Sequence, residues 1–293
     1  MPIKTVAIVG SGFMGSGIAQ VVSQAGCNVR LIDTSEISLA KAHAIIGWSL
    51  EKLASKNLVK EPVEAIFSRI VCTTDYGAAS DVDLAIEAIY EDVELKQELF
   101  GQLDSLCSPD TILASNTSTI PITKLAAATK RAERVIGTHF FGPVPLMRLV
   151  EVIPNPATLP EVTDAVMAFA RFVGKNPVLV KKDIPGFLMN RIFGAMSCEA
   201  MRLVEESAGT IVDIDQGMCD GFNLQAGPLA ISDLAGLDIC ANAFSIMHEI
   251  DPARFPEIPE ILKRLVREGK LGAKTGEGFY LWSPQGKRMG PAF

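Results

Sequence analysis

Three side chains in the middle of this 293-residue chain suit proton transfer at an alcohol or carbonyl: Ser118, His139 and Glu151. They lie in the runs Ala114-Ser115-Asn116-Thr117-Ser118, His139-Phe140-Phe141-Gly142-Pro143 and Leu149-Val150-Glu151-Val152-Ile153. An imidazole titrates near pH 6.5 in its ordinary setting, so it can take up and return a proton at working pH. Hydride leaves an alcohol carbon only as a base removes the hydroxyl proton, and His139 has the chemistry for that. Glu151 interrupts an otherwise apolar run, where a carboxylate is costly to bury unpaired. Paired with His139, it would fix the tautomer and favour the imidazolium formed on proton uptake. Ser118 could hydrogen-bond the substrate oxygen. The same residue types also suit a Ser-His-Glu hydrolase triad, although Ser118 lacks the GxSxG context of a nucleophile elbow.

A second constellation precedes these. Val6–Val9 is an apolar, β-branched run that feeds Gly10-Ser11-Gly12-Phe13-Met14-Gly15, and a helical pattern follows. Gly10 allows a tight turn, Gly12 lets the backbone approach a pyrophosphate, and Gly15 permits close helix–strand packing. Phe13 and Met14, in the same loop, are counted with the glycines as cofactor-binding candidates, and the N-terminus of the helix that follows has free N–H groups for the phosphates. Asp33 ends the next strand-like run; a carboxylate there accepts ribose hydroxyls and repels a 2′-phosphate, which favours NAD over NADP. The plainer alternative is a glycine turn without ligand, with Asp33 capping a helix.

These residues need a scaffold that brings strand ends together. Strand-like runs at Thr5–Val9, Val29–Ile32, Ile70–Cys72, Leu84–Glu87, Thr111–Ala114, Val135–Thr138, Leu149–Ile153 and Val178–Val180 alternate with helical patterns at Ile18–Ala25, Ser35–Ser55, Val93–Leu106, Ile122–Ala127 and Pro160–Val173. Such alternation predicts an α/β fold, a Rossmann-type doubly wound, mostly parallel sheet covered on both faces. Its strand carboxyl ends would border the ligand crevice and bring Ser118 and His139 together. After Asp183-Ile184-Pro185-Gly186 the pattern becomes helical, at Leu188–Glu206, Ile214–Phe222, Leu229–Ile250 and Glu257–Glu268. The expectation is a dinucleotide-binding domain over 1–184 and an all-helical C-terminal domain over 185–293.

Composition limits the partners. Lys and Arg number 27 against 34 Asp and Glu, a net charge of −7 that argues against a nucleic-acid or anionic-membrane binder. The longest apolar stretches fall well short of the roughly 20 residues a membrane span needs. The N-terminus leads straight into a strand-like run, so no signal peptide is expected. Six cysteines without a CxxC pair read as free thiols in a reducing cytoplasm, and three histidines argue against a histidine-rich metal site.

Taken together, GSGFMGSGIAQ (10–20), IEAIYEDVELK (86–96), ASNTSTI (114–120), HFFGPVPLMRLVEVI (139–153), DIPGFLMNRI (183–192) and KTGEGFY (274–280) resemble the L-3-hydroxyacyl-CoA dehydrogenase family, especially its short single-function members, over nearly the whole chain. The resemblance implies reversible oxidation of (S)-3-hydroxyacyl-CoA by NAD, short acyl chains, and a homodimer formed through the helical domain. It implies His139 as general acid/base, Glu151 as its orienting partner, and Ser118 and Asn190 at the C3 oxygen and thioester. Asp33 would hold the adenosine ribose, and Glu91, Lys96 and Lys274 would contact the cofactor. Ser49 and Lys56, seven residues apart and placed near one face of one helix, would contact coenzyme A. The lysines also read as solvated charges, Glu91 as a helix cap, Asn190 as a backbone partner and Ser49 as an exposed helix serine. Carnitine- and gulonate-type dehydrogenases share the architecture, as would a non-catalytic dinucleotide-binding protein; Phe140-Phe141 and Ser49/Lys56 favour acyl-CoA. One residue departs from the family: it commonly has Asn after His-Phe-Phe, touching the nicotinamide side of the cofactor, and this chain has Gly142. The resemblance then implies altered cofactor affinity or turnover with the reaction retained.

Overall fold

The computed structural model describes residues 3–293, and these fall into two compact units, the first ending at Phe187 and the second beginning at Leu188. The first begins with β1 (Thr5–Val9), α1 (Phe13–Gln24), β2 (Asn28–Ile32), α2 (Glu36–Ala54), α3 (Val63–Phe67) and β3 (Ile70–Thr73). It continues through β4 (Leu84–Glu87), α4 (Val93–Leu106), β5 (Ile112–Ser115), α5 (Ile122–Ala126), β6 (Val135–Phe140), β7 (Leu149–Pro154), α6 (Pro160–Phe172) and β8 (Asn176–Leu179). The sheet order is β3-β2-β1-β4-β5-β6-β7-β8. The first six strands run parallel in the doubly wound order, with the switch point between β1 and β4. The last two reverse: β7 is antiparallel to β6, and β8 is parallel to β7. The short connection over residues 141–148 explains this, because a parallel return needs a crossover of a dozen or more residues.

Periodicity dictates the packing. The buried residues of α2 are Leu39, Ala42, Ile46 and Leu50, spaced three and four apart so that one face enters the core. Its Ser35 cap accepts a hydrogen bond from the Ser38 N–H at 3.2 Å. The helix ends at Ala54, so Lys56 lies in the following turn and not on the helix that carries Ser49. In β4, all four residues are buried, as a central strand covered on both faces requires.

The second unit holds α7 (Met189–Glu205), α8 (Ile211–Phe222), α9 (Pro228–Ala235), α10 (Leu237–Ile250) and α11 (Glu260–Arg267), followed by a hairpin of β9 (Tyr280–Trp282) and β10 (Arg288–Pro291). The helical pattern over Leu229–Ile250 is two helices, not one. Gly236 sits between them at φ +100°, a conformation that L side chains rarely adopt, and the helices meet at 100°. The hairpin is an addition to an otherwise helical unit. The buried Asp233 carboxylate fastens it, accepting from the N–H groups of Phe279 (2.9 Å) and Tyr280 (2.8 Å) and from Trp282 Nε1 (2.9 Å). Among the described residues no single helix is long and apolar enough to cross a membrane.

All six cysteines are free; Cys27, Cys107, Cys198 and Cys240 are buried, and Cys72 and Cys219 are half-buried. Burial pushes the thiols of Cys107 and Cys198 up to about 11 and that of Cys240 up to about 12. Since the thiolate is the nucleophile, brief treatment of the native protein with iodoacetamide near neutral pH should label at most Cys72 and Cys219. Mass spectrometry would show this, with all six labelled in denaturant.

Candidate active site

The glycine loop leaves the switch point at the end of β1. Gly10 has φ +101°, and a Cβ on Gly15 would lie 1.7 Å from the Gly10 carbonyl oxygen, so both positions exclude a side chain. Nothing lies within 4 Å of a Cβ built on Gly12, which leaves the loop open to a ligand. No side chain caps α1 and no acidic residue stands in its first turn, so its N-terminal N–H groups suit an anion. Asp33, just past β2, accepts from the Ser11 N–H (2.8 Å) and hydroxyl (2.7 Å) through one oxygen and from the Ser35 N–H (3.0 Å) through the other. Ser35, not Asp33, caps α2. A loop open at Gly12 beside a half-exposed carboxylate fits the pyrophosphate and ribose of a dinucleotide.

His139 and Glu151 are cross-strand partners in the β6–β7 ladder. His139 Nδ1 lies 2.8 Å from Glu151 Oε2, with both side chains almost wholly buried. A carboxylate there favours the tautomer with hydrogen on Nδ1, which leaves a lone pair on Nε2. The rings of Phe141 and Phe187 stand 4.4 and 5.8 Å from the imidazole by centroid, which gives it an apolar surround. The antiparallel pairing of β7 with β6 places Glu151 opposite His139 on the same face.

Ser118 follows β5, the parallel neighbour of β6. Asn116 ties the two strand ends together, its Oδ1 accepting from the Phe140 N–H at 2.9 Å. Glu91 then gathers the Ser118 loop. One of its oxygens accepts from the Thr117 hydroxyl (2.6 Å), the Ser118 N–H (2.9 Å), and the Thr119 N–H (3.1 Å) and hydroxyl (3.0 Å). Its other oxygen pairs with Lys96 Nζ at 3.2 Å. Burial pushes the Glu91 carboxyl up, but Lys96 and these donors outweigh it and hold it below the ordinary carboxylate range. Glu91 is thus not the cap of α4; that role belongs to Asp92, which accepts from the Leu95 N–H at 2.9 Å.

Lys96 is only 1% exposed and also pairs with Glu87, at 2.5 Å. Sequence reasoning missed Glu87. It is fully buried at the end of β4 and accepts from Ser115 Oγ (2.6 Å) and the Ile89 N–H (2.8 Å). Its signal was an acid closing the wholly apolar run Leu84-Ala85-Ile86, with a lysine one helix entry later. Lys175 was missed too: its buried Nζ donates to the carbonyls of Val144 and Met147, which tethers the turn after His139. Burial lowers its pKa to about 8.

The remaining expected site residues lie apart from this cluster in sequence and element. Ser49 is half-buried on α2, and Lys56 is exposed in the turn after it. Asn190 is the second residue of α7, half-buried. Lys274 is exposed and holds both oxygens of Asp238, at 2.6 and 2.7 Å.

A sheet in this order, with its glycine loop at the carboxyl end of β1 and an imidazole–carboxylate pair near the carboxyl end of β6, defines a dinucleotide-binding oxidoreductase of the Rossmann class. Comparison with known proteins narrows the class. Residues 5–184 match the NAD binding domain of 3-hydroxyacyl-CoA dehydrogenase, and residues 186–282 match its C-terminal domain. The chain belongs to the 3-hydroxyacyl-CoA dehydrogenase family, and NAD is its cofactor. It is 43% identical over 287 residues to the mitochondrial hydroxyacyl-coenzyme A dehydrogenase of Sus scrofa, covering 95% of this chain and 91% of that one. It is 40% identical over 277 residues to the 3-hydroxybutyryl-CoA dehydrogenase of Clostridioides difficile, covering 94% and 98%. The crystal structure of (S)-3-hydroxybutyryl-CoA dehydrogenase from Ralstonia eutropha superposes with a TM-score of 0.89 at 40% identity, covering 96% of this chain and 99% of that one.

Proposed function

We propose that this enzyme interconverts (S)-3-hydroxyacyl-CoA and 3-oxoacyl-CoA, with 3-hydroxybutyryl-CoA and other short chains as its substrates. The observation that carries the mechanism is the 2.8 Å contact between His139 Nδ1 and Glu151 Oε2. In oxidation, His139 Nε2 removes the proton of the C3 hydroxyl as the C3–H bond breaks and the C=O bond forms. NAD, when bound, accepts the hydride. The proton then passes from the imidazolium to solvent, and reduction runs these transfers backwards. Glu151 stabilises the imidazolium and holds the ring in register. The Ser118 hydroxyl hydrogen-bonds the C3 oxygen, its backbone fixed by Glu91.

The family resemblance supports Asn190 as a substrate contact, Ser49 and Lys56 as coenzyme A contacts and Lys274 as a cofactor contact. It also supports a homodimer formed through the helical unit. Six free thiols suit a reducing compartment, and we place the enzyme in the cytoplasm. Steady-state rates with 3-oxoacyl-CoA of increasing length, each with NADH and NADPH, test the substrate. The highest kcat/KM is expected for acetoacetyl-CoA with NADH. A maximum at long chains would overturn the short-chain reading, and no turnover with any acyl-CoA would overturn the substrate class.

A further inference from the structure

Gly142 does not need to be glycine for its backbone, because its φ lies outside the left-handed region. What a side chain here would meet is a ring, which would have to move aside. A Cβ at this position would lie 2.5 Å from Cε1 and 3.2 Å from Cζ of Phe13, and 3.3 Å from Met14 Sδ. Phe13 is the first residue of α1, on the glycine loop, yet its ring reaches the turn that follows His139. The same turn meets α1 a second time, since a Cβ on Gly17 would lie 2.9 Å from Val144 Cβ. Two contacts therefore press the start of α1 against the His139 turn, and Lys175 ties that turn down through Val144 and Met147. Phe13 nevertheless stays 69% exposed. A large apolar ring held on the dinucleotide loop, over the residue three after the imidazole, is placed to meet the ligand's reactive half.

We propose that Phe13 is a cofactor-positioning residue: in place of a side chain at position 142, its ring walls the nicotinamide half of NAD and holds it toward His139. Gly142 leaves room for the ring in this position, so the two positions act as one steric unit. The proposal rests on His139 being the reaction's acid/base, but its test needs no turnover.

The test is equilibrium binding to the full-length enzyme without substrate. NADH is followed by its fluorescence, and ADP-ribose, which lacks the nicotinamide, by calorimetry. Phe13→Ala should raise the Kd of NADH about fivefold to tenfold, the loss of one ring contact, and leave that of ADP-ribose within about twofold. Phe13→Leu, which keeps bulk without the ring, should fall between. Gly142→Ala should weaken NADH by displacing the ring, and Phe13→Ala/Gly142→Ala should bind no worse than Phe13→Ala alone, because the added methyl then meets no ring. Equal weakening of both ligands by Phe13→Ala would show that the ring only supports the phosphate loop, and overturn the proposal. So would unchanged NADH affinity, or additive effects in the double variant. Loss of turnover in a His139 variant, or its absence, alters none of these binding results, so the two readings fail separately.

Discussion

Replacing His139 with glutamine is expected to cut kcat for acetoacetyl-CoA reduction by about 10²–10⁴-fold, the usual worth of a positioned acid/base, while the Kd of NADH stays near that of the wild type. Glutamine keeps roughly the size of imidazole and can still hydrogen-bond, but it cannot carry a proton between C3 oxygen and solvent. NADH binding should survive because the glycine loop leaves β1 and Asp33 leaves β2, whereas His139 stands on β6. Glu151→Gln should fall between wild type and His139→Gln. Its amide can still face Nδ1 at the 2.8 Å position, but it supplies no charge to the imidazolium, and its NH₂ group can select the wrong tautomer. Stopped-flow rates and NADH titration on the same preparations separate the two effects. Near-normal turnover in His139→Gln would remove it from the reaction.

The second large effect concerns stability. Lys96→Met is expected to destabilise the protein by about 3–5 kcal/mol, as breaking one partner out of a buried ion pair does. Glu87 is fully buried, and Lys96 is the cation beside it at 2.5 Å. Burial already raises the Glu87 carboxyl above its ordinary 4.5, against the pull of Lys96. Without the ammonium it rises further. A carboxyl raised in the folded state holds more protons than the unfolded chain above pH 4.5, so stability falls as pH increases through that window. The variant should show this fall more steeply than the wild type, measured by urea unfolding at pH 5 and pH 8. Glu87→Gln/Lys96→Met should recover part of the loss, since Glu87 then carries no charge, while Glu91 still loses its ammonium partner. Equal stability of wild type and Lys96→Met would mean that the pair contributes nothing net.

Much of this arrangement is legible in the sequence because it is local. β4 and α4 run over Leu84–Glu87 and Val93–Leu106, where apolar runs and helical spacing place them. The glycine loop and Asp33 follow from residue types at strand ends, and the pairing of His139 with Glu151 from an acid inside an otherwise apolar strand. What is not legible depends on partners distant in sequence. The reversal of β7 is set by the short turn before it, and alternation alone suggests only another parallel strand. The break at Gly236 hides inside a continuous helical pattern because glycine is tolerated in helices as well as between them. Spacing alone places Lys56 on the helix of Ser49, but α2 ends two residues earlier. Lys96 reads as a surface or cofactor lysine until Glu87, nine residues away, proves to be buried beside it. Gly142 reads as a missing contact until the ring of Phe13 is found in the space.

A crystal structure of the enzyme with NAD and acetoacetyl-CoA would settle whether the imidazole is the proton carrier. It should show His139 Nε2 within about 3 Å of the C3 oxygen, with Nδ1 still on Glu151 and the nicotinamide C4 facing C3. A complex in which Nε2 points away from that oxygen while another side chain donates to it would contradict the account.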